Sequence, residues 1–197
     1  MLIKARALER ERALGLHNVD TSRKRCGKEA KMESRGNVVN QDSLQWTEAG
    51  HGARFHCLRK QLGASAGGRK IGCSLYELPP GKSAWPAHYH TANEEAIYIL
   101  EGTGTLRLGD RTIPVARGDY VALLPVAEAA HRLTNSSDKP MRYLCVSTMI
   151  EPEVTVYPDS NKIGIFVGAA PGGPKEKRAL AKSLRADADI DYWSGEK

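Results

Sequence analysis

The chain has 197 residues, 41% hydrophobic and 26% charged, the balance of a folded domain with a core rather than of a disordered or fibrous chain. Its formal charge of +6 is uneven: residues 1–31 hold nine Lys/Arg against four Asp/Glu, while the remainder holds 20 against 19. A globally basic nucleic-acid-binding face is therefore not expected. Nor is a membrane span, because the longest apolar runs, such as 120–124, fall far short of the roughly 20 residues a bilayer requires.

Residues 1–40 read as a basic extension, disordered or weakly helical, with a short charged helix possible only over 4–14. Leu2-Ile3 is followed at once by alternating charges, not by the apolar core of a secretory signal. Met32 would serve as an ordinary start, so the first 31 residues are expected to be translated upstream sequence.

Residues 41–168 read as a barrel of short strands punctuated by turns. Ile71, Cys73 and Leu75 alternate along a strand that Pro79-Pro80-Gly81 ends. Further strands are expected over 96–101, 106–108, 112–115, 120–124, 131–134, 141–149 and 162–167, with a tight hairpin at Gly109-Asp110. Pro152 and Pro158 bound one more extended piece. Strands this closely spaced, with almost no helix signal between them, predict an all-β sandwich or barrel. Residues 169–197 read as a linker and tail: an amphipathic helix over 175–185, then an acidic end whose Trp193 is expected to pack on the barrel.

Four scattered cysteines, Cys26, Cys57, Cys73 and Cys145, form neither a C-x-x-C zinc pattern nor a disulfide framework. Cys73 and Cys145 lie in apolar runs and read as small buried hydrophobes. A reducing cytoplasm is the compartment this usage fits.

The chemistry concentrates in Gly81–Gly102. His88 and His90 are two residues apart, so on a strand both imidazoles share a face. Glu95 can return on the next strand to meet them, and His131 stands downstream in His131-Arg132-Leu133-Thr134-Asn135. Three imidazoles and a carboxylate suit a divalent transition metal such as manganese, iron, nickel or zinc. Four positions of an octahedron would be filled and two left for small molecules. Without nearby thiols, a closed structural zinc site is not indicated. Glu94 is the alternative carboxylate; Glu95 is favoured because it fixes the distance to Gly102.

Other residues admit two readings. Asn135 either staples a loop or orients a ligand. Tyr76, Tyr98 and Tyr143 line a pocket or belong to the core. Arg107, between Leu106 and Leu108, points into the barrel or makes an exterior ion pair. His51 and His56 precede the barrel and have no expected metal role.

The segment resembles the first motif of the cupin superfamily: glycine, a spacer, H-x-H, glutamate and glycine, here Gly81, His88, His90, Glu95 and Gly102, with one residue more than usual before His88. Gly118, Pro125, His131 and Asn135 resemble the second motif, except that Ala127 replaces its P-x-G glycine and the loop is longer by one. The resemblance covers about residues 65–150. It implies a double-stranded β-helix jelly roll with one metal site at His88, His90, Glu95 and His131. It also implies a homodimer, since such barrels leave sheet edges to be covered. A metal-dependent dioxygenase acting on a small molecule is the favoured activity. The alternatives are a metal-dependent sugar or small-acid isomerase or lyase, and a non-catalytic binding module.

Overall fold

The computed structural model describes residues 36–197. The expected helix over 4–14, most of the basic extension and the start at Met32 lie outside the described residues. Thirteen strands follow in order: β1 (Thr47–His51), β2 (Phe55–Gln61), β3 (Ile71–Leu78), β4 (Tyr89–His90), β5 (Glu95–Glu101), β6 (Thr103–Leu108), β7 (Arg111–Ala116), β8 (Tyr120–Leu123), β9 (His131–Thr134), β10 (Met141–Thr148), β11 (Glu153–Tyr157), β12 (Lys162–Val167) and β13 (Leu180–Arg185). The one α-helix among the described residues, α1 (Leu62–Ser65), is a single turn. No described helix is long and apolar enough to cross a membrane.

Three sheets wrap a common interior. Their strand orders are β1-β2-β3-β10-β5-β8, β13-β12-β11-β4 and β7-β6-β9, with every ladder antiparallel. The period of two sets what faces inward. On β5, Ile97 and Ile99 are buried and Tyr98 between them is exposed; on β10, Met141 and Tyr143 are buried. These side chains meet Leu78, Leu106, Leu123 and Leu133 in one apolar core. Tyr76 and Tyr143 stack within it, ring centroids 5.1 Å apart.

Gly102, between β5 and β6, shows why the turn admits no larger residue. Its φ of +84° is in the left-handed region, and a Cβ there would lie 3.0 Å from the Pro140 carbonyl oxygen and 3.1 Å from Met141 Cα. The turn therefore presses β6 directly against the start of β10.

The C-terminal segment corrects the sequence-based reading. In place of a helix over 175–185, a short 3-10 turn (Lys175–Lys177) leads into β13, which pairs with β12 from Val167↔Leu180 to Lys162↔Arg185. Leu180 and Leu184 are four apart, a spacing that is one helical stripe and equally one face of a strand. The open edge of β12 settles the choice by offering a full ladder of backbone partners. Trp193 does not pack on the barrel: it is 70% exposed, with Tyr192 edge-on at 4.8 Å. Among the described residues Cys57 is the fully buried thiol, whereas Cys73 and Cys145 are only partly buried.

Candidate metal centre

His88 and His131 are held together by the backbone. The His88 N–H donates to the His131 carbonyl (3.1 Å) and the His131 N–H to the His88 carbonyl (2.8 Å). Their ring centroids lie 4.6 Å apart. His90, on β4, pairs in register with Thr155 of β11, and Glu95 opens β5 opposite Ser147 of β10. Three strands, β4, β5 and β9, one from each sheet, together with His88 just before β4, thus bring His88, His90, Glu95 and His131 together.

Each imidazole is oriented from behind. His88 Nδ1 lies 2.9 Å from the Pro86 carbonyl oxygen, and His131 Nδ1 lies 3.0 Å from that of Ala129. A carbonyl only accepts, so both rings hold a proton on Nδ1 and turn Nε2 toward the cluster. His90 differs: its Nδ1 faces the Glu153 carboxylate at 3.6 Å and the Thr155 hydroxyl at 3.4 Å. His90 Nε2 and His131 Nε2 each stand 3.4 Å from Glu95 Oε2. One donor atom from each of His88, His90 and Glu95 lies within 4.8 Å of the others.

This donor set fits a divalent ion. Ligand atoms about 2.0–2.2 Å from one zinc-like ion lie roughly 3–4 Å from each other, close to the spacing here. Imidazole nitrogens held as acceptors, with a carboxylate among them, are the ligand types such ions select.

Burial and neighbouring charge divide the ionisation of the cluster. His88 is pushed down to about 3 by burial and by the adjacent His131 and His90. Burial acts on His90 in the same direction, but the carboxylates of Glu153 and Glu95 outweigh it and hold the ring up at about 9. Burial likewise opposes the charge on Glu95, yet hydrogen bonding to His131 and His90 keeps it ionised well below the usual carboxylate range. Cys145, whose Sγ lies 3.8 Å from Glu95 Oε1, is pushed well up by burial and by that carboxylate.

Comparison with known proteins places this architecture. Residues 74–147 match the family profile of the cupin domain. A crystal structure from Acidithiobacillus ferrooxidans, of a protein provisionally named a sugar phosphate isomerase, superposes with a TM-score of 0.66 at 25% identity, covering 80% of this chain and 98% of that one. Residues 74–147 thus form a cupin domain. A sugar phosphate isomerase of the cupin superfamily from Silicibacter pomeroyi superposes with a TM-score of 0.64 at 22% identity, covering 77% of this chain and 94% of its own. An uncharacterized protein of Methanocaldococcus jannaschii is 35% identical over 60 residues, 30% of this chain and 46% of that protein, so the match spans less than half of that relative.

The remaining candidates sort clearly. Glu94 is exposed, with its backbone N–H bonded to the Thr148 hydroxyl, so Glu95 is the carboxylate that joins the histidines. Asn135 staples its loop: Nδ2 donates to the Leu78 and Lys139 carbonyls, and Oδ1 accepts from the Ser137 N–H and hydroxyl. Arg107 makes an exterior ion pair with Asp159. Tyr76 and Tyr143 are core residues and Tyr98 is exposed. His56 pairs with Glu48, and His51 is exposed.

Three residues of one strand are absent from the sequence-based set. Glu153, Thr155 and Tyr157 alternate on β11; the first two face His90, and Tyr157 lies against His88 with ring centroids 5.8 Å apart. Glu153 is fully buried. It accepts from the Thr91 N–H (2.9 Å) and from Asn93 Nδ2. Asn93 is fixed in turn by Ile150, accepting from its N–H and donating to its carbonyl. The available signal was an acidic residue in phase with Thr155 and Tyr157 in an otherwise Val-rich strand.

Proposed function

We propose that this cupin is a divalent-metal-dependent enzyme that isomerises a small hydroxy-carbonyl compound of the sugar phosphate class. The observation that carries the reading is the set of three imidazoles, two with Nδ1 tied to carbonyls and one backed by Glu153, closing on Glu95. His88, His90, Glu95 and His131 would hold the ion. Such an ion supplies Lewis acidity toward a carbonyl and its neighbouring hydroxyl.

The chain's own groups supply the rest. Glu153 and the two carbonyls fix the rings, so little reorganisation is needed when a ligand enters. The Tyr157 phenol, pushed up by burial, stays protonated at neutral pH against His88 and can donate to a substrate oxygen. Glu128, the acidic residue preceding His131, is exposed and unsuited to proton transfer in the interior. The similarity to the Acidithiobacillus protein, over 98% of that chain, supports the isomerase reading over the dioxygenase one. The dioxygenase reading has only the donor set behind it, which both share.

Elemental analysis of protein purified without added metal comes first, followed by incubation of the loaded protein with aldose and ketose phosphates in deuterated water. Metal-dependent deuterium incorporation beside the carbonyl, without oxygen uptake, is the expected result. Oxygen uptake instead would replace isomerisation with dioxygenase chemistry, and tight binding without turnover would make the protein a ligand-binding module.

The same proposal includes a homodimer in the cytoplasm. The outer face of the six-stranded sheet carries exposed Ile71 (61%), Tyr98 (43%) and Tyr120 (67%), with Tyr98 and Tyr120 directly paired across β5 and β8. Apolar residues on a face that would otherwise meet water support a covering copy. Light scattering at micromolar concentration tests it: a mass of one chain would remove the dimer from the proposal.

A further inference from the structure

Outside the barrel, on the face of β6 and β9 turned away from the histidines, guanidinium groups crowd one carboxylate. The period of two that points His131 and Leu133 inward points Arg132 outward, and Arg132 is the direct register partner of Arg107. Like charges directly opposite on a sheet repel unless something between them is negative. Asp159, in the turn after β11, serves both. Arg107 Nη1 donates to its two oxygens at 2.8 and 2.7 Å, and Arg132 Nη1 to Oδ2 at 3.3 Å.

Asp159 does not complete the site. Arg132 Nε is buried and finds no acceptor among the described residues. A buried donor left without a partner is costly, so a fold that tolerates one invites an external acceptor. Arg54, exposed on the turn between β1 and β2, brings a third cation. Its carbonyl accepts from the Ser83 N–H (3.1 Å), and the Ser83 hydroxyl bonds that of Thr134, two residues beyond Arg132 on β9 (2.7 Å). The charges of Arg54 and Arg107 both reach the Arg132 guanidinium. Arg107 and Arg132 thus share one carboxylate, and with Arg54 nearby the cluster carries an excess of positive charge beside a buried donor.

We propose that Arg54, Arg107 and Arg132 form an exterior binding site for a phosphate-type oxyanion, either free phosphate or the phosphate group of a monoester, with Arg132 Nε–H as its buried donor. A tetrahedral dianion offers acceptors in several directions at once, matching guanidinium groups that converge from separate strands. The site lies on the opposite face of β9 from His131, and it requires no metal.

The test uses metal-free full-length protein titrated with inorganic phosphate, against sodium chloride at matched ionic strength. Binding is followed by calorimetry and by the arginine Nε–H resonances in proton–nitrogen NMR spectra. Saturable binding with a Kd of roughly millimolar or tighter, and a shifted Arg132 Nε–H signal, are expected. Arg132→Lys keeps the charge but removes the Nε donor and should weaken binding about tenfold or more. Arg54→Gln, on an exposed turn, should do the same with the fold intact, so the test stands even where Arg132→Lys fails to fold. Glycerol 3-phosphate run in parallel separates the sources: tighter binding than phosphate identifies an esterified ligand, and equal binding a free ion. No saturation beyond the chloride control, or unchanged affinity in folded Arg54→Gln, would overturn the site.

Discussion

His88 and His131, 43 positions apart in the chain, exchange both backbone hydrogen bonds, and each ring is steered by the carbonyl of the residue two positions before it. The two cupin motifs therefore meet as one structural unit built twice on the same local device. The i−2 carbonyl fixes the tautomer and the paired backbones fix the separation, so neither Nε2 depends on a neighbouring side chain for its direction. His90 lacks such a carbonyl and relies on Glu153 instead.

Because His131 is one half of that unit, removing its ring takes away a donor without opening the barrel. His131→Ala should reduce metal content in the purified protein from near-stoichiometric to background and weaken added metal by about a hundredfold or more. Circular dichroism should keep its β signature, since the backbone pair does not involve the ring. Metal content equal to that of the wild type would remove His131 from the ligand set.

Glu153 acts on the metal only through His90. Glu153→Gln keeps the shape and can still accept from the Thr91 N–H, but it loses the negative charge behind Nδ1. Metal affinity is expected to fall about 10–100-fold, the usual effect of losing an outer carboxylate. Glu153→Ala should be worse, because it strands the buried Asn93 amide and unfolds the β4–β11 corner. Nitrogen-15 NMR of the zinc-loaded protein separates orientation from general damage: only the His90 nitrogens should shift in Glu153→Gln.

The inner strands and the histidine set were legible because their signals are short-range and repetitive: alternation in β5 and β10, H-x-H running into β4, and turns marked by Gly81, Gly102 and Gly118. Glu95 was separable from Glu94 by its distance to Gly102, the glycine that ends the segment. Glu153 was not legible. A glutamate after a proline normally reads as a solvated strand end, and its burial depends on Thr91 and Asn93, some 60 residues away. β13 was illegible because the spacing of Leu180 and Leu184 suits helix and strand alike, and only the vacant edge of β12 decides. The arginine cluster is likewise a product of register, joining β6 and β9 to a turn beyond β11.

Gly102 and Gly118 allow backbone strain to be separated from steric contact. Both have positive φ, +84° and +97°, but a Cβ at Gly118 meets nothing within 4 Å, whereas at Gly102 it meets the Pro140 carbonyl and Met141. Gly118→Ala should cost about 1–2 kcal/mol through conformation alone. Gly102→Ala should cost clearly more, roughly 2–4 kcal/mol, because the contact adds to the strain. Urea denaturation of the two variants compares them directly, and equal costs would contradict the crowding at the β5–β6 turn.

The opposite ionisation of His88 and His90 gives metal binding a defined proton stoichiometry. His88, held down at about 3, is neutral throughout the physiological range and yields its lone pair without cost. His90, held up at about 9, is protonated in the metal-free protein and must release that proton to bind an ion. Near pH 7 about one proton should therefore leave per metal bound. Apparent affinity should rise close to tenfold per pH unit up to about 9 and then level off. The metal-free fold should respond in the opposite sense. A folded pKa above the unfolded value of 6.5 means that the His90 contribution to stability is fully present below that value and fades as the pH climbs through about 9. Calorimetric titration of zinc in two buffers of different ionisation enthalpy counts the protons. A count of zero at pH 7 would show that His90 is already neutral and that Glu153 does not charge it.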